Sequence, residues 1–285
     1  MAVPRGEAFV EVGGAKVHYF RWGKRGKPPL LMTHGFLAHA RCFAFIAPLL
    51  AEEYDVIAYD LAGMGESEMV PGCDGAKRAE DMVALADALD LFSGAVKPTL
   101  IAHSFGSGVA LTAMEQAGER FAGLIICDLM IMRPEKLKAH FERGGGPPGS
   151  GKAGKPTNIY PDYETARGRF ILAPPQGVRE EFLLEYMAYH SLRQVDDGTE
   201  QGWTWKFDPQ VFARSENDQK KWQQAAQRIA DLPHRQGNQH RPSTRSTQFH
   251  PGQLVKARGT MCVLHRLDQG LRTPVAVRLW IQVQD

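Results

Sequence analysis

Four short, uninterrupted apolar runs recur through the first half of this 285-residue chain: Leu30–Thr33, Val56–Tyr59, Thr99–Ala102 and Leu124–Cys127. A strand with one wet face alternates apolar and polar residues. A run without alternation has both faces covered, the condition of a parallel sheet between two helix layers. Helical spacing fills the gaps: Ala79, Met82, Val83, Ala86 and Leu89 follow the i, i+3, i+4, i+7 pattern, as do Val109, Ala110, Ala113 and Met114. Strand–helix–strand alternation requires right-handed crossovers and a doubly covered sheet. In such sheets ligands and reactive groups collect at the carboxyl ends of the strands, and these runs stop at His34, Asp60, Ser104 and Asp128. Upstream, Glu7–Val12 and Lys16–Trp22 flank Gly13-Gly14 and predict a β-hairpin.

The length suits one large α/β domain, or a core carrying one inserted subdomain. Lys and Arg number 34 against 32 Asp and Glu, a formal charge of +2, and 43% of residues are apolar. That balance argues against disorder and against a dedicated nucleic-acid binder. Cys42, Cys73, Cys127 and Cys262 show no CxxC spacing, so neither a zinc site nor a disulfide framework is implied. The first residues, MAVPRGEAFVEV, lack the basic head and apolar middle of a signal peptide, and no apolar run reaches the roughly 18 residues that cross a bilayer. The expectation is a soluble, cytoplasmic protein without a membrane partner.

Residues 130–232 change character. Arg143–Pro156 is a Gly/Pro linker; Glu180–His190 and Asn217–Ile229 are helical by period; Trp203, Trp205 and Phe207 make an aromatic stretch. This reads as a helical insertion lying over the strand ends. Gly146–Lys152 fits the start of a phosphate-binding loop, but Ala153 replaces the hydroxyl residue, paired prolines remove N–H donors, and no buried strand precedes it. It reads as linker.

The most specific local signal is Ala102-His103-Ser104-Phe105-Gly106, between an apolar strand and a small-residue helix. A G-x-S-x-G-like turn in that context raises the serine hydroxyl above the sheet on a strained backbone, with small residues on either side where helix and strand nearly touch. After Leu30–Thr33 comes His34-Gly35-Phe36; the N–H groups of Phe36 and Phe105 together would form a two-donor oxyanion hole. His34 reads as a structural hydrogen-bonding residue, and Asp60–Ser67 as a turn.

With those pieces in place, residues 7–133 resemble the α/β-hydrolase fold family, in its serine hydrolase branch with a helical lid. THGF at 33–36, YDLAGMGES at 59–67 and IAHSFGSGVAL at 101–111 carry the resemblance. It implies a mostly parallel sheet with an inserted helical lid, divided as core (1–133), lid (134–232) and a divergent, irregular C-terminal segment (233–285). It also implies hydrolysis of a small, largely apolar ester, lactone or related acyl compound through a Ser–His–acid triad. Serine at 104 argues against relatives that use an aspartate nucleophile. Tyr186, Trp203 and Trp205 are candidates for lining the pocket, and neither metal nor organic cofactor is expected. The partner is a small-molecule substrate, with oligomeric state left open.

The C-terminal segment departs from the pattern. Residues 234–285 hold eight Lys/Arg and two Asp, a formal +6, leaving −4 for residues 1–233. Residues 234–259 contain four apolar residues and no carboxylate where the family places a strand and the triad acid. Met261–His265 and Val275–Val283 read as strands. His265, the last histidine, is the candidate base; Asp128 is the candidate acid, with capping of its turn as the competing role. Asp268 follows a strand, but no histidine follows it. The break fits a hydrolase with rebuilt last strands, or a terminus read out of register with its ancestral frame. The alternative function is an impaired enzyme, or a ligand binder using the same cleft.

Overall fold

The structure, a computed structural model, describes residues 6–128, 155–172, 180–196, 198–212 and 224, together with the backbone of 256–257, 260–267 and 275–282. The hairpin at Gly13-Gly14 forms as expected, pairing β1 (Gly6–Val12) with β2 (Ala15–Trp22). The four apolar runs become β3 (Pro29–Thr33), β4 (Asp55–Tyr59), β5 (Thr99–His103) and β6 (Gly123–Cys127). Further along come an antiparallel pair, β7 (Leu192–Asp196) and β8 (Gln201–Trp205), and the C-terminal strands β9 (Lys256–Ala257), β10 (Thr260–Leu267) and β11 (Val275–Gln282).

One mixed sheet runs in the order β1-β2-β4-β3-β5-β6-β11-β10-β9. Its centre, β4-β3-β5-β6-β11, is parallel throughout. The reason these runs do not alternate is visible in β4, where Ile57 and Tyr59 enter one core and Val56 and Ala58 the other. Helices α2 (Gly75–Ala88) and α3 (Phe105–Ala117) cover the first face, burying Ala79, Met82, Ala86, Val109, Ala110 and Ala113. Asp74 starts α2 by accepting the Lys77 N–H at 2.8 Å, satisfying one of the donors that a helix N-terminus leaves over. A 3-10 turn at Ala40–Phe43 and the short helix α1 (Ala47–Leu50) cover the other face.

The segment between β6 and β9 contributes α4 (Tyr163–Arg167) and α5 (Glu181–Ser191), the latter within one residue of the helix expected there. It is not wholly helical. Trp203 and Trp205 lie on β8, where buried Gly202 and Thr204 alternate with half-buried Trp203 and Trp205, a period of two that makes a strand. The segment sits on the loops leaving β3 and β4. Met64 bridges Phe207, the Asp208 N–H donates to Gly63 O at 2.8 Å, Lys206 pairs with Glu66, and Val211 is buried.

Backbone strands occur at both C-terminal positions expected from sequence. Strand β11 adds to β6 in parallel, and β10 folds back on β11 antiparallel. The Gly/Pro linker as far as residue 154, with its phosphate-loop-like stretch, the expected 217–229 helix apart from residue 224, the 134 and 232/233 boundaries, and residues 234–255 lie outside the described residues. Among the described residues no helix is long and apolar enough to cross a membrane.

Candidate functional site

Ser104 sits at the junction of β5 and α3 with φ 49° and ψ −115°, a left-handed conformation rare for a side chain larger than glycine. Such a residue costs about 1–3 kcal/mol and persists only where its surroundings fix it. Here the Ser104 N–H donates to Cys127 O at 2.9 Å and the Ser107 N–H to Ser104 O at 2.9 Å. Packing closes the turn further. A Cβ on Gly106 would lie 2.5 Å from His34 O, and one on Gly35 would lie 2.9 Å from His103 Nδ1 and 3.4 Å from Ser104 Cβ. Two glycines therefore let the β3 exit and the β5–α3 turn touch. The hydroxyl stands at the N-terminus of α3, where the peptide dipoles favour negative charge.

The β3 exit is held on the β4 exit at two points. His34 is fully buried; its Nδ1–H donates to Gly35 O at 2.7 Å and its Nε2 accepts the Leu61 N–H at 3.0 Å. Both ring nitrogens are occupied, so His34 is structural, as its sequence context indicated, and burial pushes its pKa below the ordinary imidazole value. Six residues on, the Ala40 N–H donates to Asp60 Oδ1 at 2.5 Å. Asp60 also accepts the Glu66 N–H at 3.0 Å and His18 Nδ1–H at 2.8 Å, while His18 Nε2 lies 3.1 Å from Glu7 Oε1. Carboxylates at both ring nitrogens favour the imidazolium. Burial works against the charge on His18, but the hydrogen bond and charge of Asp60, then of Glu7, carry its pKa above the ordinary value. Burial likewise works against the Asp60 carboxylate, and the bond from His18 leads the interactions that hold its pKa low.

The two expected oxyanion residues are neighbours: the Phe36 and Phe105 rings lie 5.3 Å apart. Phe36 continues to Phe212 (5.5 Å), Phe212 to Phe207 (5.6 Å) and Phe207 to Trp205 (6.4 Å), so Trp205 joins the site through an aromatic chain. Trp203 packs on Tyr163 at 5.2 Å, and Tyr186 on Phe45 at 4.9 Å and His190 at 4.4 Å. Those described ring partners belong to the covering segment and the loop beneath it.

Asp128 follows β6 with φ 56°, half exposed, its Oδ2 4.0 Å from His103 Nε2. Burial lowers the His103 pKa, and Asp128 opposes the shift. His265 is not brought to Ser104. Its backbone pairs with Val277, which continues to Leu124 and Leu100, whereas Ala102, two residues before Ser104, is level with Ile126, Leu279 and Val263. Three interstrand steps, about 14 Å in all, separate β10 from β5. Because β10 is antiparallel to its neighbour, its downstream end also runs toward the amino edge. Among the described residues none hydrogen-bonds the Ser104 hydroxyl, and no group of three or more His, Cys, Asp or Glu is placed to hold a metal ion.

One residue that sequence reasoning did not single out is His39. It is buried in the β3 exit and reaches Ser191 Oγ at 3.1 Å across 152 residues. Nothing local in the sequence signals such a contact.

The family model described as "Alpha/beta hydrolase family" matches residues 30–282. The dihydrolipoyllysine-residue acetyltransferase component of the acetoin cleaving system of Pseudomonas putida is 30% identical over 67% of this chain and 48% of its own length. Epoxide hydrolase 4 of Mus musculus is 33% identical over 35% of this chain and 28% of its own length. The chain thus spans less than half the length of these curated relatives. Among solved structures, the thioesterase domain from the curacin biosynthetic pathway superposes with a TM-score of 0.57 at 21% identity, covering 78% of this chain and 79% of that one, a likeness of fold.

Proposed function

From the premise that this chain belongs to the alpha/beta hydrolase family, we propose that it is a serine hydrolase acting on a small, largely apolar ester, lactone or related acyl compound through an acyl-enzyme. The observation that carries this reading is the Ser104 backbone, strained at φ 49° between a buried parallel strand and a helix. In this reading Ser104 Oγ attacks the carbonyl carbon, and its proton passes to an imidazole. The Phe36 and Phe105 amides hold the resulting oxyanion. The leaving alkoxide takes the proton back, and water then hydrolyses the acyl ester by the same route. In this reading residues 134–232 serve as the lid, and Tyr186, Trp203 and Trp205 line the approach to the serine.

The imidazole in this reading is His103. His34 has both nitrogens occupied, His39 faces α5, and the register sets His265 aside. His103 is half exposed, with Asp128 4.0 Å away as the orienting carboxylate, and it directly precedes Ser104 in the chain.

A fluorophosphonate probe with peptide mapping tests the proposal. Rapid labelling at Ser104, lost in Ser104→Ala and slowed at least about 100-fold in His103→Ala, supports it. Labelling elsewhere overturns it. The second reading is an impaired enzyme or a ligand binder using the same cleft. The strand register, which sets the His265 backbone level with Leu100 rather than with Ala102, favours it, and it is supported if Ser104 labels no faster than an unactivated serine.

A further inference from the structure

The β3 exit forms an arch from His34 to Ala40, and its fastenings are unequal. Below, both feet rest on the β4 exit, through His34 to Leu61 and through the Ala40 N–H to Asp60. Within the arch the Ala38 N–H closes a turn on Gly35 O at 3.2 Å, and Leu37 takes φ 58°, a left-handed conformation that a branched side chain adopts only under constraint. Above, a single side chain supplies the arch's described polar contacts with α5: His39, 3% exposed, with Nε2 3.1 Å from Ser191 Oγ and 3.4 Å from Met187 O.

Hydrogen-bond logic fixes the tautomer. The one proton of the Ser191 hydroxyl goes to Met187 O at 2.7 Å, so Oγ accepts, and Nε2 of His39 carries the hydrogen. That leaves Nδ1 as a buried acceptor with no hydrogen-bond partner among the described residues. An unmatched buried acceptor costs about 1–3 kcal/mol, so an apolar side chain here would serve packing better. The contact is therefore better understood by what it connects: the final turn of α5 on one side, and on the other a strained arch that carries Phe36 three residues before His39.

We propose that His39 is a positioning residue that couples α5 to this arch, so that docking of the covering segment sets the place of the Phe36 amide. This rests on the reading of Phe36 as an oxyanion donor, and His39 acts through Phe36 without touching the substrate. With α5 docked, the Nε2–H bond holds the arch in its turn. With the bond absent, the arch keeps both feet but loses its fixed height, and a donor misplaced by about 1 Å forfeits much of its transition-state stabilisation.

Two substitutions separate coupling from bulk. His39→Gln places an amide N–H near the Nε2 position, whereas His39→Leu keeps volume and removes the donor. Hydrogen exchange by mass spectrometry on the wild-type chain should show residues 35–40 and 187–191 protected together. In His39→Leu both segments should exchange at least about tenfold faster, with β3 to β6 unchanged; His39→Gln should restore most of the protection. On a p-nitrophenyl ester, His39→Leu should lower kcat about 10- to 100-fold with KM within about threefold, and His39→Gln should lie near wild type. Ser191→Ala should follow His39→Leu in direction with a smaller effect, because Met187 O remains. Unchanged exchange in His39→Leu, faster exchange spread over the whole core, or equal loss in the Leu and Gln variants overturns the proposal. If the wild-type chain turns over no ester, the serine hydrolase reading fails, while the exchange comparison still decides whether His39 joins the two segments.

Discussion

At the carboxyl edge of β3, β4 and β5 each turn is fastened to the next: His34 to Leu61, Ala40 to Asp60, Ser104 to Cys127. The C-terminal hairpin β10–β11 joins the same sheet by one parallel ladder, from Ala276 on Gly123 to Leu279 on Ile126, and then reverses direction. The first region builds a site from short turns, each specified by a handful of adjacent residues. The second determines its geometry by topology, because strand direction decides which edge a trailing residue reaches. A serine at a strained turn is a local achievement. A base delivered across a sheet is a global one, and here direction and register carry His265 away from the serine.

The sharpest way to break the first region is to remove its central anion. Asp60→Ala leaves the Ala40 and Glu66 amides and the His18 imidazolium without their buried acceptor. Removing one partner of a buried charge pair costs about 3–5 kcal/mol, read as a shift in the urea midpoint. A loss under about 1 kcal/mol would show that the turns stand without Asp60.

Next in size is Gly106→Ala. The added methyl would sit 2.5 Å from the His34 carbonyl oxygen, a backbone atom that moves only if the β3 exit moves. Overpacking of this kind costs about 1–3 kcal/mol, and the displacement should also slow fluorophosphonate labelling of Ser104. Labelling at the wild-type rate with full stability would mean that the two turns do not touch in solution.

Stability against pH separates His18 from His39, two of the three buried histidines of this edge. His18, with carboxylates at both nitrogens, has a raised pKa; its contribution is complete below pH 6.5 and is lost as pH rises through the folded-state value. Asp60 is lowered, so its contribution holds above pH 3.8 and is lost as pH falls through its folded value. Burial, only partly offset by Asp60, lowers His39 to about 4, so its neutral form stabilises fully above pH 6.5 and loses its contribution as pH falls toward 4. The loss for His39 amounts to about 3 kcal/mol. His39→Gln should flatten the acid slope between pH 6.5 and 4, and His18→Gln the decline above pH 6.5. Urea titrations at pH 4.5, 6, 7.5 and 9 check both, and an acid slope unchanged in His39→Gln would contradict the burial of that ring.

Much of the first region was legible because its signals are local. The unbroken runs announced buried parallel strands, and Ala102–Gly106 announced the turn that Ser104 occupies at φ 49°. His34 read as structural and its bonds agree. The link from His39 to Ser191 was not legible, since it joins two segments that only the folded chain brings together. The aromatic stretch around Trp203 was assigned to a helical insertion, and its period-two burial makes it a strand instead. The direction of β10 could have been read: seven residues, 268–274, separate it from β11, too few for the crossover of a dozen or more that parallel neighbours need. The strands are written in their apolar residues; the reversal between them is written only in the length of the connection.

That reversal makes the smallest expected effect the most discriminating one. A general base contributes about 10²–10⁴-fold. If His265 served Ser104, His265→Ala would slow labelling of the serine by that much. With His265 level with Leu100 and three strands from β5, His265→Ala should leave the labelling rate within about twofold, far short of a base's contribution. A hundredfold fall would require β10 to present its downstream end at the carboxyl edge, and a strand cannot do that while antiparallel to a neighbour that is itself parallel to β6. The measurement therefore tests the direction of one strand through the reactivity of one hydroxyl.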